Sequence, residues 1–191
     1  DRTAAHRLIE ECMLCANVCS AKFLEKVDIP ALYRVHEGPS EDRLKSVRDF
    51  LAELGIGLGG GQDPQPEDYQ RVLRSAKGRD DASVIQSVLL RSMSQAVYQP
   101  DNLGHFGLAF EAYTHFTSPI RRYADLLVHR AIRYLIRSAK KRPNVYRADG
   151  AKPLDQEIIY TYTTERLDQV GEHLSVTARR AAQSTQAGVR R

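Results

Sequence analysis

Apolar residues recur at helical spacing through most of the chain, broken by short alternating runs and by Gly/Pro punctuation. From about Thr3 to Val27, Leu8, Cys12, Cys15 and Cys19 form one helical stripe, widened by Ile9, Met13, Ala16 and Phe23; this stripe is expected to face a core. Ala31–His36 alternates like a short strand and ends at Gly38-Pro39. Ser40 can cap a second helix, with Glu41 and Asp42 in its first turn, Leu44, Val47, Phe50, Leu51 and Leu54 as its apolar face, and Gly55 as its stop. A third helix is expected from Pro66 to Ala76. A fourth is expected from Ala82 to Tyr98, buried through Val84, Ile85, Val88, Leu89 and Met93. Pro100–Gly104 is a turn. His105–Phe116 reads as a strand with Phe106, Leu108 and Phe110 on one face and the small Gly107 and Ala109 on the other, where a close neighbour is expected. A helix from Ser118-Pro119 to Ile136 packs through Tyr123, Leu126, Leu127, Ala131 and Leu135. Another, from Thr161 to Ser184, packs through Leu167, Val170, Leu174 and Val176, and the polar tail from Thr185 is expected to fray.

Composition adds bounds. The chain has 191 residues, 42% apolar and 27% charged, enough for one domain with a core. A net charge of +4 suits an acidic partner without requiring one. It begins at Asp1 rather than Met, so a piece of something longer is expected, and no apolar run is long enough to span a bilayer. The three cysteines, an odd number on one helix, make no disulfide framework; a reducing cytoplasmic setting is the simplest. Their C-x2-C-x3-C spacing lacks the fourth ligand a cluster needs, so they read as small core residues. Gly57–Gln65 is Gly-rich but has no Gly-Lys-Ser/Thr, so it reads as a surface linker and not a phosphate loop.

The run Phe116-Thr117-Ser118-Pro119-Ile120-Arg121-Arg122-Tyr123 stands out. Thr117 or Ser118 can cap, Pro119 suits the first helical position, and two arginines then fall in the first turn, where the helix dipole prefers acids. A bound phosphate would offset that repulsion through free N–H groups and guanidinium forks. The plainer alternative is two solvated arginines, one paired with Asp125. Glu10 and Glu11 are either a solvated face or, beside a basic cleft, an acceptor for a ribose hydroxyl. His105 and His115 are either RNA contacts or polar structural residues, and no His-x3-His pair makes a metal site with them. Arg137, Lys140, Lys141, Arg142 and Arg147 form a basic, exposed segment that either guides nucleic acid by charge or, in the favoured reading, is a solvated loop.

The order of these features resembles the ribonuclease II/ribonuclease R family of exoribonucleases. The segments that carry the likeness are His6–Asn17 (HRLIEECMLCAN), Leu32–Glu37 (LYRVHE) and, above all, His105-Phe106-Gly107-Leu108 through Tyr123–Arg130 (YADLLVHR). It runs from about His6 to Ile136, weakens, and returns over Thr164–Ala181. It implies an α+β fold, a helix-rich fragment of the RNB catalytic domain with helices packed on a small sheet. Residues 1–191 would be the carboxy-terminal part of that domain, with 1–136 well matched and 137–191 a basic loop and last helix. The implied function is processive 3′-to-5′ hydrolysis of single-stranded RNA to nucleoside monophosphates in the cytoplasm, with magnesium held by an aspartate cluster. Arg121 matches the family's arginine that contacts RNA phosphate near the scissile bond, which makes it the catalytic candidate. Glu10 matches a glutamate near the bound 3′ terminus, and Arg122 neighbours Arg121 in the RNA-binding motif. The family's metal-binding aspartates would lie upstream of His6, and Asp80-Asp81 is an adjacent pair without further spaced aspartates. Neither the family's aromatic clamp nor its flanking oligonucleotide-binding domains are identifiable in these residues. The alternatives are a truncated, catalytically inactive RNA-binding fragment and a purely structural helical domain.

Overall fold

A computed structural model describes residues 3–138, 145–146, 149–152 and 160–189, the last five without their side chains. The described residues divide into two compact units. One comprises 1–35, 97–102 and 112–191; the other comprises 36–96 and 103–111. The α+β class holds: helices accompany one small antiparallel sheet among the described residues.

The first unit starts with α1, Ala4–Val27, capped by the Thr3 hydroxyl, which accepts from the His6 N–H; it ends at Asp28 in the left-handed region. Its buried face is Asn17, Ser20, Ala21 and Leu24. The cysteine stripe is therefore not the core face: Cys12, Cys15 and Cys19 are exposed and Leu8 is 65% exposed. Helical spacing defines several stripes, and the one chosen for burial carries a polar residue with partners to satisfy. The Asn17 amide donates to the Tyr113 hydroxyl at 3.0 Å and accepts from the Phe116 N–H at 2.9 Å.

Strands β1, Tyr33–Val35, and β2, Val97–Gln99, pair antiparallel with Tyr33 opposite Gln99, Arg34 opposite Tyr98 and Val35 opposite Val97. The fourth predicted helix thus stops early, at Ser92, and Val97–Gln99 becomes strand. The β-branched and aromatic pair Val97-Tyr98 finds a partner strand and a helix to pack against. Tyr33 and Val35 enter the core with Ala21, Leu24, Val128, Ala131 and Leu135, while Arg34 points to the other face. The α5 helix spans Tyr123–Arg137, and α6 spans Thr164–Val189, past the tail expected to fray. Leu32, Tyr98, Ala124, Leu127 and Leu167 form a second cluster, with Val170 and Leu174 packed against it.

The other unit is a cluster of α2 (Glu41–Glu53), α3 (Pro66–Ser75) and α4 (Ala82–Ser92), joined through Val47, Leu51, Tyr69, Val72, Ile85 and Leu89. Gly55, at φ +70°, follows α2 as expected. The segment read as a strand from His105 to Phe116 is instead a 3-10 turn at Phe106–Leu108, closed by a His105–Phe110 bridge across Ala109 at φ +55°. The period-two pattern misled because Phe106 packs edge-on against Tyr69 at 5.4 Å, a contact a turn can make. The close neighbour expected at Gly107 is present: its N–H donates to His36 Nδ1 at 2.8 Å, and a Cβ would lie 3.0 Å from that ring.

Candidate nucleic-acid interface

The corner from Phe116 to Tyr123 is held from three sides. His129 Nε2 donates to the Phe116 carbonyl at 2.8 Å, and the two rings stack at 4.2 Å. Asn17 holds the Phe116 N–H. Asp125, fully buried, accepts from the Ser118 N–H at 2.7 Å and from Arg122 Nε and Nη2 at 2.7 and 2.8 Å.

The helix does not start at Pro119. Ser118–Arg122 is a separate turn, with the Ser118 carbonyl accepting from the Arg121 and Arg122 N–H groups; α5 begins at Tyr123 with Arg122 as its N-cap residue. The conflict of two cations in a first turn disappears, because the first turn holds Asp125, the charge the dipole favours. Neither Thr117 nor Ser118 caps it. The plainer expectation for Arg122 is met: it is the arginine paired with Asp125. Arg121 stays exposed at the tip of the turn.

Arg121 and Arg122 line one side of a cleft of about 460 Å³. Arg34 and Tyr98 line it from the sheet, His115 from the segment before the corner, Tyr123 from the start of α5, and Thr177 and Ala178 from α6. Among the described residues, the cleft wall carries three guanidiniums and no carboxylate. Tyr98 and His115 share a hydrogen bond of 2.7 Å, so His115 is a satisfied structural residue that also faces the cleft. Burial lowers the Arg34 pKa from its ordinary value and the like charge of Arg122 adds to this, with Tyr98 and Tyr113 opposing.

Two other sequence candidates fall elsewhere. Glu10 is half-buried on α1 and is not among the residues lining the cleft, and Glu11 is exposed. Of the basic loop, Arg137 donates to the Lys152 carbonyl at 3.0 Å; Lys140, Lys141, Arg142 and Arg147 lie outside the described residues. Sequence reasoning missed Arg34 and Tyr98. Alternation alone places Arg34 opposite the core face, but only the pairing register puts it across from Tyr98. Among the described residues no three His, Cys, Asp or Glu side chains converge as a metal site, and Asp81 is taken up by Arg79 at 2.8 Å. No helix among them is long and apolar enough to cross a membrane.

Comparison with known proteins places the chain in a class. The RNB domain family matches residues 1–138, and the chain belongs to that family. Its relatives are ribonucleases R. That of Vibrio parahaemolyticus is 52% identical over 184 residues, covering 96% of this chain and 21% of the relative. Among solved structures, Mycoplasma genitalium RNase R in complex with double-stranded RNA has a TM-score of 0.74 at 27% identity, covering 93% of this chain and 30% of that one. The same enzyme in complex with ribose-methylated single-stranded RNA has a TM-score of 0.71 at 28% identity, covering 89% and 25%. The chain thus spans about a fifth of the length of the curated relatives it matches.

Proposed function

We propose that residues 1–191 are the carboxy-terminal part of an RNB exoribonuclease domain that removes nucleotides hydrolytically and processively from the 3′ end of single-stranded RNA in the cytoplasm. The observation that carries this is the carboxylate-free cleft with Arg34, Arg121 and Arg122 on its walls beside Tyr98 and Tyr123, cations for phosphates beside rings for bases. Arg121 is the phosphate-positioning residue. It sits on a turn anchored by Asp125, and its guanidinium would offset charge gathering on the non-bridging oxygens as water adds at phosphorus. Arg122 supports the same RNA backbone while fixed to Asp125. Glu10, which is not among the lining residues, would act near the 3′-terminal sugar. Magnesium would be a cofactor of the whole family enzyme; the described residues offer it no donor set.

The test is binding of a labelled single-stranded RNA to the chain. Arg121→Ala should weaken it about tenfold, the worth of one charge-assisted hydrogen bond. It should also reduce the salt slope by about 0.7, one phosphate contact fewer. Unchanged affinity and slope would remove Arg121 from the role. The second reading, a catalytically inactive RNA-binding fragment, is favoured by the lack of a metal donor set among the described residues. It predicts that the chain alone, given magnesium and a 3′-labelled RNA, releases mononucleotides no faster than buffer. Magnesium-dependent release would overturn it.

A further inference from the structure

Arg34 is a cation of the cleft without a counter-charge among the described residues. It sits mid-strand in β1, and its N–H donates to the Tyr113 carbonyl at 2.8 Å. Opposite it, the Tyr98 N–H donates to the Ser175 hydroxyl at 2.8 Å, so neither amide serves the other and the two side chains lie close on one face. The Arg34 guanidinium carbon rests 4.5 Å from the centre of the Tyr98 ring. That ring is itself held through its hydroxyl by His115. Nη1 of Arg34 is closed off from solvent and donates to no oxygen among the described residues. Asp125, on the helix behind the arginine corner, is committed to Arg122 and Ser118. A cation half-withdrawn from water normally has an anionic partner, because the face of one ring returns only part of its lost hydration.

We propose that Arg34 is a second phosphate-binding residue of this cleft, taking a backbone phosphodiester of single-stranded RNA across from Arg121. The inference rests on the RNA reading of the cleft and assigns to it a residue outside the Phe116–Tyr123 motif. Stacking on Tyr98 fixes the guanidinium before the ligand arrives, so little rotamer freedom is lost on binding. The strand and the corner then grip the RNA backbone from different elements. Contacts from the corner alone would fix position but not direction.

The experiment measures anisotropy of a labelled oligoadenylate with the full chain, from about 50 to about 200 mM salt, the range over which phosphate contacts show their slope. Arg34→Met, which keeps the stem on Tyr98 and removes the charge, should weaken binding roughly tenfold and lower the salt slope by about 0.7. Arg34→Lys should keep the slope of the unaltered chain and lose affinity only a few-fold, since charge remains without the planar fork. Arg34→Met with unchanged affinity, or with weaker binding at an unchanged slope, overturns the proposal, because a purely structural arginine would distort the cleft without removing an ion contact. If Arg121→Ala shifts affinity and slope while Arg34→Met shifts neither, Arg34 is excluded and the RNA cleft stands. If the unaltered chain binds no oligoadenylate, the RNA reading fails and takes this inference with it.

Discussion

Gly171→Val should destabilise the chain by about 3 kcal/mol, the upper part of the usual cost of forcing volume into a packed interface. Gly171 lies in α6 where that helix crosses β2. A Cβ at this position would stand 2.4 Å from the Tyr98 carbonyl oxygen and 3.2 Å from Leu32 Cδ2. The nearest obstacle is backbone, so no rotamer change relieves the overlap. A glycine inside a helix is itself unfavourable by roughly 1 kcal/mol against alanine, so removing it would help if space allowed. The overlap costs more than that gain returns, and it decides the sign. One turn on, Ser175 accepts from the Tyr98 N–H at 2.8 Å while donating to the Gly171 carbonyl of its own helix at 2.7 Å; displacing α6 leaves the Tyr98 N–H without its acceptor. Urea unfolding of the variant measures the loss. A stability indistinguishable from that of the unaltered chain would mean that α6 does not sit on β2 as described.

Asp125→Ala should cost about 3–5 kcal/mol, the range seen when one member of a buried ion pair is removed. Three donors converge on this carboxylate: the Ser118 N–H and two nitrogens of Arg122. Alanine leaves the Ser118 N–H unmet at a position with 0% exposure and removes the counter-charge of Arg122, whose side chain keeps only 21% exposure at the cleft wall. Asp125→Asn should cost less, because its amide oxygen still accepts from Ser118, although Arg122 loses its counter-charge. The turn that carries Arg121 should loosen in both variants. RNA affinity should therefore fall along with stability, as read by thermal unfolding and by oligoadenylate binding. An Asp125→Ala chain as stable as the original would show that the pair does not hold the corner.

The helical segments were legible because each carries enough apolar periodicity to bury a face: α2 with Leu44, Val47 and Leu51, and α5 with Leu127, Ala131 and Leu135, lie where spacing puts them. Boundaries were less legible. Val97-Tyr98-Gln99 continues a helical pattern on paper, yet a partner strand from Tyr33–Val35 and a helix against its other side make it a strand. The His105–Phe110 segment alternates and is a turn, because a ring-on-ring contact with Tyr69 fixes Phe106 more strongly than local pattern does. In the cleft, the Phe116–Tyr123 run was found from its residue types. The roles within it were divided only by Asp125, which takes Arg122 and leaves Arg121 exposed.

By itself the sequence determined the helix-rich α+β class, the family likeness carried by its quoted segments, and the arginine corner as the place to look. Those depend on local periodicity and on contiguous residues, which a linear string preserves. Tertiary structure alone decided which stripe of α1 is buried, where α5 starts, and that Arg34 and Tyr98 share a wall with Arg121. Burial, ion pairing and cross-strand register are contacts between residues far apart in the chain, and their energies depend on neighbours that no local spacing encodes.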